Sequence, residues 1–205
     1  EYGDGHGGRI AIPPTLLISA LGYLPDVGRA TSMDVKVCGD PIYVVGSTRR
    51  ELGESYLFRQ LGLSGGSVPQ PAAEGPALAR ALHACIRAGW VRAVHDCSEG
   101  GLAVAMAEMA LAGDAGMHID LQAVPRDRDA EDDLVLLFAE SSARYVVEVA
   151  AEQANAFEQA FAGLPCARVG QVECIPHLEI CGLEGDEVVN LPIRALRRAW
   201  KGEAL

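Results

Sequence analysis

From about residue 40 to the C-terminus, short β-branched segments alternate with longer segments of helical periodicity, and this alternation restricts the fold more than any other feature of the sequence. Residues 42–46 (Ile-Tyr-Val-Val-Gly) predict a short buried strand. Residues 76–89 predict a helix, because apolar side chains recur on one face, with a proline at the start and a glycine at the end. Further strands are predicted over 91–95, 118–121, 145–149, 168–173, 178–181 and 187–190, and further helices over 102–111, 131–138, 152–161 and 192–200. The implied fold class is α/β (α+β), a mixed β-sheet flanked by helices.

The first 38 residues have a different pattern. Residues 10–21 predict a strand with a proline-marked entry, and residues 31–37 predict a second strand. A turn-like Cys-Gly-Asp-Pro sequence follows, so we place a domain boundary there, between residues 1–38 and residues 39–205. Four of the first eight residues are glycine and the chain opens on Glu1 rather than Met, as we expect of a chain cut from a larger protein or of one that starts in a loop.

The charge balance restricts the partners. With 17 basic and 28 acidic residues the net charge is −11, which disfavours binding to nucleic acid and to anionic membranes. No segment approaches the ~20 apolar residues of a membrane span, and no signal peptide opens the sequence, so we expect a cytoplasmic protein. Lysine occurs only at Lys36 and Lys201, and the G-x-x-x-x-G-K-[ST] motif is absent. A nucleotide site would therefore depend on backbone amides, arginine or a metal ion.

Neither the cysteines nor the histidines form a metal-binding motif. The six cysteines are widely spaced, without a C-x-x-C pair, and the five histidines include no H-E-x-x-H. We therefore predict no zinc site and six reduced, mostly buried thiols. Cys97 follows Asp96 and precedes a predicted helix, and we expect it to be an unreactive thiol rather than a nucleophile.

The most informative segment is residues 95–102 (His-Asp-Cys-Ser-Glu-Gly-Gly-Leu), which joins a predicted strand to a predicted helix. Two glycines inside a helix would each cost about 1 kcal/mol relative to alanine, so they belong in the connecting turn. At a helix N-terminus, free N–H groups and the helix dipole favour an anion such as phosphate. Asp96 and Glu99 would repel that anion unless a divalent metal stood between them. The alternative is structural: Asp96 or Ser98 caps the helix and the glycines allow close packing.

Two other parts of the chain carry weaker signals. Residues 51–56 (Glu-Leu-Gly-Glu-Ser-Tyr) predict a helix start, and residues 65–69 predict a loop. Residues 138–144 form a polar connection into the next strand. In this connection Glu140 and Arg144 either position a ligand or form a surface ion pair worth ~0–1 kcal/mol. No Ser/His/Asp or Cys/His arrangement follows from the spacing.

Several of these segments together resemble one known family. They are residues 12–22 (Ile-Pro-Pro-Thr-Leu-Leu-Ile-Ser-Ala-Leu-Gly), 31–36 (Thr-Ser-Met-Asp-Val-Lys), 51–56, 95–109 (His-Asp-Cys-Ser-Glu-Gly-Gly-Leu-Ala-Val-Ala-Met-Ala-Glu-Met) and 190–202 (Asn-Leu-Pro-Ile-Arg-Ala-Leu-Arg-Arg-Ala-Trp-Lys-Gly). Over nearly its whole length the chain is similar to the last part of phosphoribosylformylglycinamidine synthase subunit II. Residues 95–109 are the most specific element of this resemblance.

The resemblance implies a ligase of de novo purine biosynthesis. The family uses ATP and magnesium to activate formylglycinamide ribonucleotide, and ammonia from a separate glutaminase subunit then gives formylglycinamidine ribonucleotide. A small bridging subunit belongs to the same complex. The family's chain has two similar halves, each with an N-terminal sheet domain and an α/β domain. Residues 1–38 would then be the remnant of the second AIR synthase N-terminal-like domain, and residues 39–205 the second AIR synthase C-terminal-like domain.

The resemblance also implies what this chain lacks. In the family the catalytic histidines, the ATP lysine and most magnesium and substrate ligands lie in the first half, so no catalytic residue is carried over. The isolated chain is expected to be inactive and to provide scaffold and interface, and an auxiliary ADP–magnesium site is a further hypothesis. By the similarity of the halves, Asp96 matches a metal-binding aspartate and residues 140–142 match a segment that touches substrate. Together with the residues singled out above, the candidate substrate- and nucleotide-binding residues are His95, Asp96, Ser98, Gly100, Gly101, Glu140, Ser141, Ser142 and Arg144, and the candidate magnesium ligands are Asp96 and Glu99. The family usually has a glycine where this chain has Glu54, and that change bears on how closely the backbone can approach a ligand.

Two alternatives remain open. One is a purely structural or assembly domain without a ligand. The other is an ATP-using enzyme of the same superfold, similar to selenophosphate synthase or thiamine-monophosphate kinase. Binding of magnesium–nucleotide to this chain separates a ligand-binding module from the structural alternative. The remaining N-terminal part of the synthase is the expected partner, and an apolar edge left where it should pack would drive dimerisation.

Overall fold

The computed structural model describes residues 2–3, 9–10 and 16–203, and the chain divides into two compact units, Glu1–Ala30 and Thr31–Leu205. In the first unit, β1 (Tyr2–Gly3) pairs antiparallel with β2 (Arg9–Ile10), and a 3-10 turn covers Val27–Arg29. The strand predicted over 10–21 is wrong for residues 16–21, which form no regular structure, and its residues 11–15 lie outside the described residues. A strand is stable only beside a hydrogen-bonded neighbour, and in the described part of this unit only β1 and β2 pair.

The second unit is built on a mixed sheet of seven strands. These strands are β3 (Pro41–Val45), β4 (Val91–Asp96), β5 (Gly116–Asp120), β6 (Tyr145–Val149), β7 (Cys166–Glu173), β8 (His177–Cys181) and β9 (Glu187–Pro192). Their order across the sheet is β4-β6-β3-β7-β5-β8-β9. Neighbouring strands are antiparallel except for β5 and β8, which are parallel. Every strand predicted after residue 40 is present, so the mixed sheet inferred from the sequence is confirmed.

Six helices accompany the sheet in the described residues. They are α1 (Tyr56–Leu61), α2 (Gly75–Ala88), α3 (Gly101–Gly113), α4 (Asp133–Phe138), α5 (Ala154–Ala160) and α6 (Ile193–Trp200), with 3-10 turns over Leu121–Ala123 and Ala151–Gln153. Helix α2 ends as its sequence predicts, because Gly89 takes the left-handed conformation with a φ of 77° and its N–H bonds back to the last turn. Helix α1 follows the helix start predicted from residues 51–56.

Side chains alternate across β3, and this alternation gives the sheet a core on each face. Ile42 and Val44 pack on the face that α3, α4 and α6 cover. Tyr43 and Val45 pack on the face that α2 and α5 cover. All of β3 is buried, because it is an interior strand of a sheet with helices on both sides.

The segment that leads into β3 is hydrogen-bonded to the sheet but does not form a strand. Residues 31–37 were predicted to form a strand, and this is wrong: only Ser32 makes a bridge, to Ala93 of β4. The backbone N–H groups of Lys36 and Val37 instead donate to the buried Glu148 carboxylate of β6, at 2.8 and 2.9 Å. These two N–H groups are therefore not available for hydrogen bonds to a neighbouring strand. The compact second unit therefore begins at residue 31, whereas the domain boundary at residues 38 and 39 stays a prediction.

Two of the six cysteines are joined. Cys38 and Cys174 form a disulfide with their Cα atoms 5.3 Å apart, so the prediction of six reduced thiols is wrong for this pair. The Gly39 N–H donates to the Val172 carbonyl oxygen at 2.8 Å, and this bond brings the turn before β3 beside the end of β7. Sequence spacing could not reveal the pair, because 136 residues separate its members. The remaining four cysteines are free thiols, and Cys85 and Cys97 are buried.

None of the helices in the described residues has both the length and the apolar content needed to cross a lipid bilayer.

Candidate functional site

The loop between β4 and α3 has the backbone that its two glycines require. Gly100 and Gly101 both take the left-handed conformation, with φ of 81° and 66°. A Cβ atom on Gly101 would lie 2.5 Å from the carbonyl oxygen of Ala139. The glycines therefore serve the turn and its close packing against the segment after α4, as the structural alternative for this loop predicts.

Glu140 fills the place where the sequence predicts an external anion. Its Oε1 atom accepts a hydrogen bond from the Gly100 N–H at 2.8 Å and a second from the Tyr56 N–H at 2.8 Å. These amides lie at the N-termini of α3 and α1, so one carboxylate serves the positive ends of two helices. Sequence reasoning missed this role, because Glu140 is 40 and 84 residues from the groups that it binds.

A cavity of about 440 Å³ opens beside this loop. Its lining consists of Pro69, Asp96, Cys97, Ser98, Glu99, Glu140, Ser142, Ala143, Arg144 and Tyr145. Six of the predicted ligand or metal residues therefore meet at one cavity: Asp96, Ser98, Glu99, Glu140, Ser142 and Arg144. The other four predicted residues, His95, Gly100, Gly101 and Ser141, are not part of the lining.

The cavity presents carboxylate and hydroxyl oxygens together with an inert thiol. The Ser98 hydroxyl donates to Asp96 Oδ2 at 2.5 Å, and this bond lowers the pKa of Asp96, so that its carboxylate is charged at neutral pH. Burial raises the pKa of Cys97 to about 11, although the nearby Arg144 guanidinium acts in the opposite direction. This raised pKa agrees with the prediction that Cys97 is an unreactive thiol.

Arg144 is a structural residue more than a ligand-binding one. Its side chain is buried, and its guanidinium donates to Thr48 Oγ1 at 2.8 Å and to the carbonyl oxygens of Ser141 and Ala139. Burial lowers the pKa of this guanidinium. Arg144 and Glu140 bind different partners, so they do not form the surface ion pair that was one alternative. Through these bonds the guanidinium holds the segment after α4 in shape.

The two serines of this segment hold neighbouring loops. The Ser141 hydroxyl is buried and accepts from the Arg49 N–H at 3.0 Å. The Ser142 hydroxyl accepts from the Ala72 N–H at 3.1 Å and donates to the Gln70 carbonyl oxygen at 2.6 Å. These bonds fix the loops on either side of α1 to the cavity wall.

His95 lies on β4 and turns toward α3 rather than toward the cavity. Its Nε2 atom is 2.8 Å from Glu108 Oε2, and its Nδ1 atom is 3.4 Å from Asp96 Oδ1. The Glu108 contact holds the strand to the helix. His95 does not line the cavity, and among the described residues its one ion-pair contact with a lining residue is with Asp96.

The donor set of the cavity suits a magnesium ion bound to a nucleotide better than it suits bare phosphate. The Gly100 N–H is taken by Glu140 and the Arg144 guanidinium by Thr48 and backbone carbonyls, so the principal phosphate donors are engaged. In the part of the chain that the structure describes, no three His, Cys, Asp or Glu residues are grouped to hold a metal alone. Magnesium is commonly held by one or two carboxylates together with water and phosphate oxygens. Asp96 and Glu99 can supply that number.

Glu54 takes a backbone conformation that glycine adopts more easily than other residues. Its φ is 59°, in the left-handed region, just before the Ser55 N-cap of α1. Its side chain is exposed and does not line the cavity. A non-glycine residue therefore bears the conformational cost of the left-handed region at this turn.

Comparisons with known proteins agree with this fold. The model of the family described as AIR synthase related protein, C-terminal domain, matches residues 38–180. Phosphoribosylformylglycinamidine synthase subunit PurL of Deinococcus radiodurans is 34% identical over 209 residues, which cover 98% of this chain and 27% of that protein. The subunit of the same name from Synechocystis is also 34% identical, over 97% of this chain and 26% of its own length. The chain thus spans about a quarter of the length of these relatives.

Solved structures of T. maritima PurL share the fold. The complex with FGAR has a TM-score of 0.71 at 21% identity, covering 83% of this chain and 30% of that chain. The complex with ATP has a TM-score of 0.68 at 19% identity, covering 83% and 27%. The PurLQS structure from Thermotoga maritima has a TM-score of 0.67 at 21% identity, covering 83% and 28%.

Proposed function

The chain belongs to the AIR synthase related protein family, C-terminal domain, and we propose that it is the C-terminal module of a phosphoribosylformylglycinamidine synthase. The whole enzyme would be a cytoplasmic ATP- and magnesium-dependent ligase of purine biosynthesis, which converts formylglycinamide ribonucleotide and glutamine-derived ammonia to formylglycinamidine ribonucleotide. The observation that carries this proposal is the 34% identity to PurL over 98% of the chain.

The proposed role of this module is to support the catalytic part of the enzyme. Its partners would be the N-terminal remainder of the synthase, the glutaminase subunit and the small bridging subunit, in line with the PurLQS assembly of the structural relative. No catalytic residue is assigned to this chain, and alone it is expected to be inactive. Mixing it with a synthase that lacks this region would test the supporting role, because restored ligase activity requires that the two parts associate.

The cavity at the start of α3 is the proposed place of an auxiliary magnesium–nucleotide site. Asp96 and Glu99 would face the metal, with Ser98 and Ser142 beside it, and the nucleotide itself would supply the remaining metal ligands. Bound ATP or ADP would bring the phosphate oxygens, and this chain would contribute fixed carboxylates. His95, Glu140, Ser141 and Arg144 would act by holding the loops that shape the cavity.

Thermal unfolding with and without millimolar magnesium–ADP tests this site. At 100 times the dissociation constant, binding should add about 2.7 kcal/mol, which raises the unfolding midpoint of a domain of this size by roughly 5–10 °C. Asp96→Asn should remove most of the increase, whereas Asp186→Asn, an exposed position outside the cavity lining, should retain it. An unchanged midpoint for the unsubstituted chain would contradict a site complete within these residues.

A purely structural module is the second candidate, and Glu140 favours it. Its carboxylate already neutralises the two helix N-termini at which a nucleotide phosphate would bind. In that case magnesium–ADP would leave the midpoint unchanged, while restoration of activity by mixing would still succeed.

A further inference from the structure

Helix α6 carries four basic side chains along one face. They lie three, four and seven residues apart, and they are Arg194, Arg197, Arg198 and Lys201, which we call the basic stripe. Like charges at these spacings repel one another and destabilise a helix. The helix dipole favours cations in the last turn, as at Arg197 and Arg198, but disfavours one in the first turn, where Arg194 lies. An anion bound from outside would relieve this repulsion.

The rest of the chain neutralises only part of the basic stripe. Arg197 Nη2 pairs with Asp114 Oδ1 at 2.9 Å and donates to the Leu111 carbonyl oxygen at 3.2 Å. Arg194 and Lys201 are exposed, and neither forms an ion pair within the part of the chain that the structure describes. These unpaired cations lie on one face of α6 in a chain whose net charge is −11.

A cavity of about 550 Å³ lies beside the basic stripe. All four side chains of the stripe border it, together with two carboxylates, Asp114 and Glu203. The other lining residues are mainly apolar and come from the turn between β7 and β8 and from the start of α6. Ile175 in that turn is 70% exposed, so an apolar surface is open to solvent beside the cations. This combination suits a ligand in which an apolar group is flanked by anionic groups.

The dimensions and composition of this surface favour a protein segment over other polyanions. From Arg194 to Lys201 the stripe is about 10 Å long, and an extended peptide covers about the same distance in three residue steps. No Phe, Tyr or Trp is among the described residues that line the cavity, so the bases of a nucleic acid would find no ring to stack on. The net charge of −11 repels a long polyanion or an anionic membrane, which would extend over acidic surface beyond the stripe. A short acidic segment ends within the stripe and avoids that repulsion.

We propose that the basic stripe and its cavity bind a short acidic segment of a different protein. Carboxylates of that segment pair with Arg194 and Lys201, and an apolar side chain between them packs against Ile175. The guanidinium group of Arg194 can donate two parallel N–H bonds to one carboxylate, which makes the pairing directional as well as electrostatic. This binding requires neither the nucleotide cavity nor ligase activity, so it can fail or succeed independently of the proposed function.

The test measures binding of a fluorescent peptide, acetyl-Glu-Glu-Leu-Glu-Glu-amide, to the full chain by anisotropy. The peptide should bind with a dissociation constant below about 1 mM, and a rise in ionic strength from about 0.05 to 0.5 M should weaken binding about tenfold. Replacement of its leucine by glycine should also weaken binding about tenfold, because the apolar contact is lost. The neutral peptide acetyl-Gln-Gln-Leu-Gln-Gln-amide should not bind.

Two double variants connect the binding to the stripe. The stripe variant, Arg194→Glu with Lys201→Glu, should bind the acidic peptide at least about tenfold more weakly, because two attractions become repulsions. Its unfolding midpoint should not fall, since both side chains are exposed and neither is ion-paired among the described residues. The control variant, Arg80→Glu with Arg128→Glu, changes the net charge equally at exposed positions outside the lining and should bind as the unsubstituted chain does.

Two further probes separate the other possible occupants, namely pentathymidylate for nucleic acid and tripolyphosphate for a small anion. Tighter binding of either one than of the acidic peptide would overturn the proposal and assign the stripe to that class of ligand. Loss of self-association in the stripe variant alone would assign the stripe to a second copy of this chain and would overturn the proposal as well. The same holds if the acidic peptide does not bind, if its glycine or glutamine forms bind equally well, or if the stripe variant binds as the control variant does.

Discussion

Glu140 joins the N-termini of α1 and α3 through a single carboxylate oxygen. Replacement by alanine would leave the Gly100 and Tyr56 N–H groups without their acceptor. We expect Glu140→Ala to lower the free energy of unfolding by about 1–3 kcal/mol, and Glu140→Gln, which keeps an acceptor but loses the charge, to lower it by about half as much. Urea denaturation of both variants, with Glu184→Gln as the control, measures this loss. Equal stability of Glu140→Ala and the unsubstituted chain would show that the carboxylate does not support these helices.

Some residue roles in this site were predictable from the sequence, and others were not. The turn glycines Gly100 and Gly101 were predictable, because a helix interior disfavours glycine and the neighbouring patterns locate the turn. The role of Glu140 was not predictable, because nothing in a linear sequence connects it to amides 40 and 84 residues away. Arg144 was expected near a ligand, yet its burial and its backbone partners follow only from how the segment folds back on Thr48.

At the scale of elements, the contribution of Glu148, which joins the segment before β3 to strand β6, to the free energy of unfolding should depend on pH. Burial raises the pKa of Glu148 above its ordinary value of 4.5, although the Lys36 and Val37 N–H groups act in the opposite direction. The folded state then binds this proton more tightly than the unfolded state does. The stabilisation of the folded state by the protonated Glu148 carboxyl group is complete below pH 4.5. It is lost as the pH rises through the higher pKa of the folded state.

Comparison with Glu148→Gln isolates this dependence, because glutamine does not titrate. The unfolding free energy of the unsubstituted chain, minus that of the variant, should fall as the pH rises above the ordinary pKa of 4.5. The exposed Glu184→Gln variant should give a difference that changes little over the same range. A difference that rose with pH for Glu148→Gln would contradict the effect of burial.

The strands and helices after residue 40 were largely predictable, whereas the segments before β3 were not. Periodicity identifies β3 and α2 because the apolar residues that form them also form the core. Residues 31–37 have the composition of a strand, but their amides bind Glu148 and single backbone groups. Composition reports which residues suit a strand, and only the fold determines whether a partner strand lies beside them.

At the scale of the whole molecule, the apolar side chains of residues 16–27 should make the chain associate. The large exposed side chains of this segment are Leu16, Leu17, Ile18, Leu21, Tyr23, Leu24 and Val27. Exposed apolar surface of this kind marks an interaction site. We expect the full chain to form dimers or larger species in sedimentation velocity experiments, and a variant without residues 1–30 to be monomeric.

The shortened variant should also keep its unfolding midpoint within about 2 °C, because residues 31–205 form a compact unit with its own core. Leu17→Asp in the full chain is the matched test, since it changes one exposed side chain without shortening the protein. Association that persisted in both variants would assign it to a surface of the second unit instead.

The disulfide between Cys38 and Cys174 has a consequence for the connectivity of the molecule. It closes residues 38–174 into a covalent ring, so that a protease cut in the exposed stretch 62–68 opens the ring without releasing a fragment. In a reducing compartment such as the cytoplasm the link is expected to open. The piece before the cut then contributes one strand, β3, to the seven-stranded sheet, inserted between β6 and β7. A cut and reduced molecule would be two polypeptides held together by the insertion of that interior strand.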